Sequence, residues 1–512
     1  MKKRTLSLLL ALLMLSSCGT PAAETEKETA APETTAPAAD TDEADETEAA
    51  EETEAAEETA DPNARLDDGL EDGVTFDGFT YNIFQQSVLY ADFRAEEITG
   101  EPINDADYER MAAVEDKLNV EISFSDMVAE MRDGHIPLAN MIQAGTNDYS
   151  IGTLSAYSAC SALTDKLLVN LNDIGNLDLT REWWDQYCID ECTFYGKVYF
   201  MTGDISIADN RQTFCTYFNK KMAEDYHLSS FYEMVDNGTW TLDNFRTQAE
   251  AVDFNLDLDN DGNHVNDPED IYGIWIWDDV MMGIVNAAGV KCCEINPQTS
   301  ELELTLMSER FLNAFDKFAA VAFNTDVTCA YQRTAGANVT EAFTSRRGLF
   351  LLHCIKAATY LRDMEDDFGI LPLPKYDEQQ ERYISSAASW GLPIYVIPRM
   401  NLSAEEFDTI GYITQMLAYE SMYTLTPAFY EQTLQNKVSR DEESARMLDL
   451  IFASRAYDFG WYFGIGGYNS AIMNMLRNYD NNFTSTYQSS YSLATKVLKN
   501  TNKLLREMAN EE

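Results

Sequence analysis

Carboxylates stand at alternate positions in Asp257-Leu258-Asp259-Asn260-Asp261-Gly262, with glycine sixth, the arrangement that wraps hard oxygen ligands around calcium. The bidentate glutamate usual at the twelfth position is missing: Pro268 stands there, with Asp267, Glu269 and Asp270 beside it and Asn263 inside the turn. Counting from Asp259 puts Asp270 twelfth but moves Gly262 out of place. A structural calcium ion is one expectation, an acidic surface turn the other. Softer chemistry finds less support. Cys188 and Cys192 are four apart and could share a helical face, yet no second pair with zinc spacing and no histidine lies nearby. His135, His227, His264 and His353 are far apart in sequence, and there is no HExxH, no GxSxG elbow and no P-loop. Gly464-Ile465-Gly466-Gly467 lacks the third glycine of a dinucleotide fingerprint, because Asn469 occupies its place. No catalytic motif is present.

The charge balance excludes another class. Lys and Arg total 36 against 87 Asp and Glu, a net charge of −51, and such a surface cannot neutralise phosphates, so no nucleic-acid partner is expected. Lys2, Lys3 and Arg4 precede a largely apolar run from Leu6 to Leu15. As a helix that run rises only about 15 Å, half of a ~30 Å hydrocarbon core, so it reads as a secretory signal. Leu15-Ser16-Ser17-Cys18 resembles the bacterial lipobox, in which the cysteine becomes the lipidated N-terminus. A lipid anchor at Cys18 and an extracytoplasmic location at the cell membrane follow. Residues 19–74 are rich in Ala, Glu, Thr, Pro and Asp without an aromatic, and are expected to be a disordered acidic tether. Beyond Cys18 there are eight cysteines, mostly buried free thiols by expectation, since a body of this size needs no staples.

These side chains must be positioned by a body of some 440 residues, enough for more than one domain. A strand over Phe79 to Gln85, a helix over Asp105 to Leu118, a strand over Val120 to Phe124, a helix near Pro137 to Ala144 and a strand over Tyr149 to Leu154 make the alternation of a parallel α/β sheet. Ligands in such sheets sit beyond the carboxyl ends of the strands, which singles out Gln85 and Tyr157. Further strands are predicted over Thr213 to Phe218, Gly348 to His353, Phe368 to Leu371 and Leu392 to Ile397. Leu402-Ser403-Ala404-Glu405-Glu406-Phe407 combines a capping box with a hydrophobic staple, so a helix must start there.

The order of the pieces carries a resemblance. The lipobox and tether come first, then Tyr108-Glu109-Arg110-Met111 to Val120, Trp183-Trp184-Asp185-Gln186, Phe218-Asn219-Lys220-Lys221, and Asp367-Phe368-Gly369-Ile370-Leu371-Pro372 leading to Pro374-Lys375-Tyr376-Asp377. This order resembles the extracellular solute-binding proteins of family 1, carbohydrate-type receptors of ATP-binding cassette (ABC) importers. The resemblance implies an α/β, two-lobed periplasmic-binding-protein-like fold of type II. Lobe 1 would be 75–205 plus 388–445, lobe 2 would be 206–387 plus 446–512, and crossings would fall near Thr202 to Ser206, near Ala387 to Leu392 and after the Ser403 helix. It implies a non-catalytic monomer that captures a sugar or oligosaccharide and hands it to a membrane permease. It favours the first calcium register, because many family members carry such a loop before a Tyr-Gly pair, here Tyr272-Gly273. Sugar sites pair flat rings with carboxylates and amides. Trp390 and Tyr383 lie beside a crossing, Trp275 and Trp277 share a strand face, and Asp204 follows the strand at the first crossing, against which stand core packing for the rings and a helix cap or turn for Asp204. A binding protein for a peptide or other solute and an envelope glycoside hydrolase with two apposed carboxylates are the alternatives.

Overall fold

The computed structural model describes residues 65–89, 93–252, 268–334, 338–435 and 442–511. Cys18 and residues 257–267 of the acidic loop lie outside them. Nine strands make the two main sheets: β1 Phe79–Gln86, β2 Val120–Met127, β3 Ile151–Ser155, β4 Phe214–Asn219, β5 Tyr272–Ile276, β6 Thr328–Ala330, β7 Gly348–Cys354, β8 Phe368–Leu371 and β9 Pro393–Val396.

The first sheet has the order β9-β3-β1-β2, with β1 parallel to both neighbours and β9 antiparallel to β3. The second runs β6-β5-β7-β4-β8, with β5 parallel to β6 and β7, and β4 antiparallel to β7 and β8. Each lobe therefore repeats one plan. Three parallel strands are joined through helices, and the strand arriving from the other lobe enters antiparallel beside the third. Strands β3, β4, β5, β8 and β9 are buried along their whole length, as expected where helices cover both faces. The two-lobed α/β expectation is met.

Local signals explain most element ends. Helix Pro102–Leu118 begins three residues before the expected Asp105, because Glu101 accepts from Asn104 N and Pro102 takes a first-turn position where no amide is needed; Asn119 ends it at φ 51°. Helix Ala404–Tyr423 starts at the full capping box of Ser403 and Glu406. Residues 67–74, read as tether, in fact belong to the body: Leu70 and Val74 pack on the core, Asp68 pairs with Lys117 at 2.9 Å, and the Glu71 carbonyl accepts from Tyr412 OH. Leucine and valine in that stretch supply the apolar surface that the preceding acidic repeats lack.

Three passages run side by side between the sheets. Thr213 bridges Ala387, Ala388 N donates to Gln212 O, and Ser385–Ser386 pairs in parallel with Arg455–Ala456. At their centre lies Arg455, fully buried, its Nη1 2.6 Å from both Asp185 Oδ2 and Asp209 Oδ2; Tyr457 OH donates to Asp185 at 3.1 Å. Burial and the neighbouring Asp185 push the Asp209 carboxyl up, with Arg455 opposing them.

Candidate functional site

A cavity of about 370 Å³ lies beyond the carboxyl ends of β5 and β7. Its wall is assembled from strand ends. Trp277 and Asp279 follow β5, His353 and Cys354 end β7, Lys356 and Tyr360 follow them, and Phe214 opens the antiparallel β4. Trp390 reaches in from the middle passage. It is 48 % exposed, unusual for the largest apolar side chain. Gly391 behind it has φ 78° and its carbonyl accepts from Gln212 Nε2 at 2.9 Å, so the turn that presents the ring needs glycine.

Lobe 1 meets this ring. Tyr157, in the first turn of helix Ala156–Thr164 that follows β3, packs edge-on to Trp390 with centroids 6.5 Å apart, donates to Ser389 Oγ at 2.9 Å, and carries the Arg132 guanidinium 3.9 Å above its face. Trp277, also in the cavity wall, stacks on Tyr331 at 3.9 Å, with His353 edge-on at 6.0 Å. The Trp277 Nε1 is buried without a hydrogen-bond partner among the described residues. Trp277, Tyr360 and Trp390 thus bring three large rings to one cavity.

Charge in the cavity is sparse and perturbed. Asp279 begins helix Val280–Ala287; burial first, then the neighbouring Asp278, push its carboxyl up to about 7, with Lys356 opposing them. Burial, then Lys356, push His353 down to about 3, so its ring is neutral at ordinary pH. Burial likewise raises the Cys354 thiol and the Tyr157 phenol. Lys356 has no ion-pair partner among the described residues. The arrangement can stack a planar or saccharide ligand, exchange hydrogen bonds at Asp279, and present one ammonium.

The expected residues divide. Trp277 and Trp390 line the cavity, and Tyr157 touches Trp390. Trp275 does not: it is fully buried beside Tyr272, and its Nε1 donates to Arg347 O at 2.8 Å, because its strand position faces the core. Tyr383 is buried in lobe 2 and donates to Val235 O at 3.2 Å. Gln85 is buried within the first sheet, paired with Thr153. Asp204 is not among the cavity residues; its Oδ1 accepts from Thr426 Oγ1 at 2.7 Å, which ties the first passage to helix Leu425–Gln435. Of the expected calcium ligands Asp257, Asp259, Asp261, Asn263 and Asp267 lie outside the described residues; Glu269 pairs with Arg347 at 3.1 Å and Asp270 is buried. Asp279, Lys356 and Tyr360 also line the cavity and were not singled out in the sequence. The strand-end rule, applied to β5 and β7 as it was to β1 and β3, points to residues 277–279 and 353–356.

Solved structures share this plan. An ABC substrate-binding protein from Listeria monocytogenes, in complex with cycloalternan, superposes with TM-score 0.52 at 13% identity, covering 85% of this chain and 100% of its own. The fold is that of an ABC substrate-binding protein. UgpB from Mycobacterium tuberculosis, in complex with glycerophosphocholine, gives TM-score 0.53 at 14% identity, covering 82% of this chain and 98% of its own. A cyclo/maltodextrin-binding protein with maltotetraose gives TM-score 0.53 at 13% identity, covering 84% and 97%. No family model and no curated protein matches the chain. In this substrate-binding fold the cavity just described lies where the passages join the two lobes.

Proposed function

We propose that the protein is a non-catalytic extracytoplasmic receptor that captures a carbohydrate between its lobes and delivers it to the permease of an ABC importer. The observation that carries this reading is the cavity at the passages, where Trp390, Trp277 on Tyr331, and Tyr360 offer ring faces and Asp279 a carboxyl group. Sugars have apolar faces and hydroxyl edges, and this set matches both. Two of the structural neighbours were solved with cycloalternan and maltotetraose, which agrees with the reading. Capture is favoured over hydrolysis because Asp279 is the single carboxylate among the residues lining the cavity, whereas glycoside cleavage needs two facing each other.

The same reading keeps a lipid anchor at Cys18 and a calcium ion held by Asp257, Asp259 and Asp261, with Asp267, Glu269 or Asp270 completing its shell. A chelator is expected to lower the melting temperature, and Asp259→Ala to abolish that dependence; identical curves would remove the metal. Capture is tested by thermal shift of the mature protein against an oligosaccharide panel. Ligand at a hundredfold over Kd should add about 2.7 kcal/mol of stability. A panel without effect, alongside a stabilising peptide mixture, would replace sugar by peptide.

A further inference from the structure

A second hollow of about 400 Å³ adjoins the cavity on lobe 2, and Asn338, Thr340 and Tyr360 line both. Tyr360 thus stands on the boundary between the two spaces. Its ring is 60 % exposed and has no hydrogen bond or ring contact among the described residues, so its own packing gives no reason to show an aromatic face to water there. The two spaces are built differently. Where the first has rings, the second has hydroxyls: Thr340 and Thr344 from helix Val339–Thr344, and Thr359 from helix Ala358–Leu361. Each spends its hydrogen within the fold, Thr340 on Asn338 Oδ1 at 2.6 Å, Thr344 on Glu341 O at 2.9 Å and Thr359 on Lys356 O at 2.8 Å. The three oxygens therefore keep lone pairs that can accept from a ligand hydroxyl. Asn338 supplies the opposite sense: its Oδ1 caps the helix, and its Nδ2, without a partner among the described residues, is left to donate. Charges in the second space are mixed, Glu341 and Asp363 against Arg362, which lies 3.8 Å from Asp363, so it fits hydroxyl edges rather than an ionic group of either sign.

We propose that the captured carbohydrate is an oligosaccharide longer than a disaccharide, whose inner units lie against the rings of the first cavity and whose outer units cross Tyr360 into the hydroxyl-lined second one. This rests on the carbohydrate reading above and narrows it to a ligand length. A short sugar would occupy the first cavity and leave Tyr360 and the threonines to water. A longer one covers the exposed ring and replaces that water with hydrogen bonds in both senses. Its outer units are delivered at high local concentration once the inner ones are fixed, so their contacts add affinity without a second loss of translational freedom.

The experiment is calorimetric titration of the mature protein with malto-, cello- and xylo-oligosaccharides, each series taken from the disaccharide to the pentasaccharide. In at least one series Kd should fall about tenfold or more between the disaccharide and the tetrasaccharide. Two variants, each checked for an unchanged melting curve, connect that gain to the second space. Tyr360→Ala removes the ring on the boundary, and Thr344→Trp fills the hollow beyond it, at a position that does not line the first cavity. Both should bring the ratio of disaccharide to tetrasaccharide Kd most of the way back to unity. Kd values independent of length in every series that binds, or a ratio that either variant leaves unmoved, overturn the proposal and leave carbohydrate capture standing. No binding in any of the series overturns both.

Discussion

Trp390 shows how far single residues can be read. Its place beside a crossing marked it as a stacking ring, and it stands half exposed in the cavity. Trp390→Ala should cost about 2 kcal/mol of ligand binding, roughly thirtyfold in Kd by titration, with the melting curve of the free protein little changed. Asp204 looked like the matching carboxylate and is spent on Thr426. Its neighbours in sequence do not reveal that partner, because Thr426 is more than two hundred residues away along the chain. Asp279 is the carboxylate that lines the cavity instead, and its carboxyl is raised, so a folded chain keeps a proton that an unfolded one has lost. Stability from this group is present at low pH and declines as pH rises from about 4 towards about 7. Asp279→Asn should therefore flatten part of the fall in melting temperature between pH 5 and pH 8. A slope equal to wild type would mean that the carboxyl titrates normally.

Elements with local signals were legible and those set by distant partners were not. The box at Ser403 and Glu406 names its helix start outright, and the alternation in Phe79–Gln86 names its strand. The pairing of Ser385–Ser386 with Arg455–Ala456 has no such signature, since two-residue strands carry no period. The passages are nevertheless where the buried charge is concentrated. Arg455 serves two carboxylates from different stretches of chain, Asp185 and Asp209, and removing it would leave both buried without a cation. Arg455→Leu should lower unfolding free energy by about 3–5 kcal/mol in a denaturant titration. A loss under 1 kcal/mol, roughly the worth of an exposed pair, would mean that water already reaches these groups.

The two-lobed plan was legible in the order of the pieces rather than in any one of them. Parallel alternation foretold the first sheet, while the insertion of β9 beside β3, and of β4 beside β7, depends on strands that travel between lobes. All eight cysteines of the described residues are buried free thiols, as the sequence led one to expect for most of them. The tryptophans are distributed with the same economy. Trp183, Trp184, Trp240, Trp275 and Trp461 are buried in the core, whereas Trp277 and Trp390 are the two that line the cavity. Emission from this protein therefore carries a built-in optical reporter. A neutral collisional quencher such as acrylamide should reach the cavity pair first, and a bound ligand should shield that pair while the five core indoles stay dark to the quencher throughout. Accessible emission that persists at saturating ligand would place the occupant away from both rings.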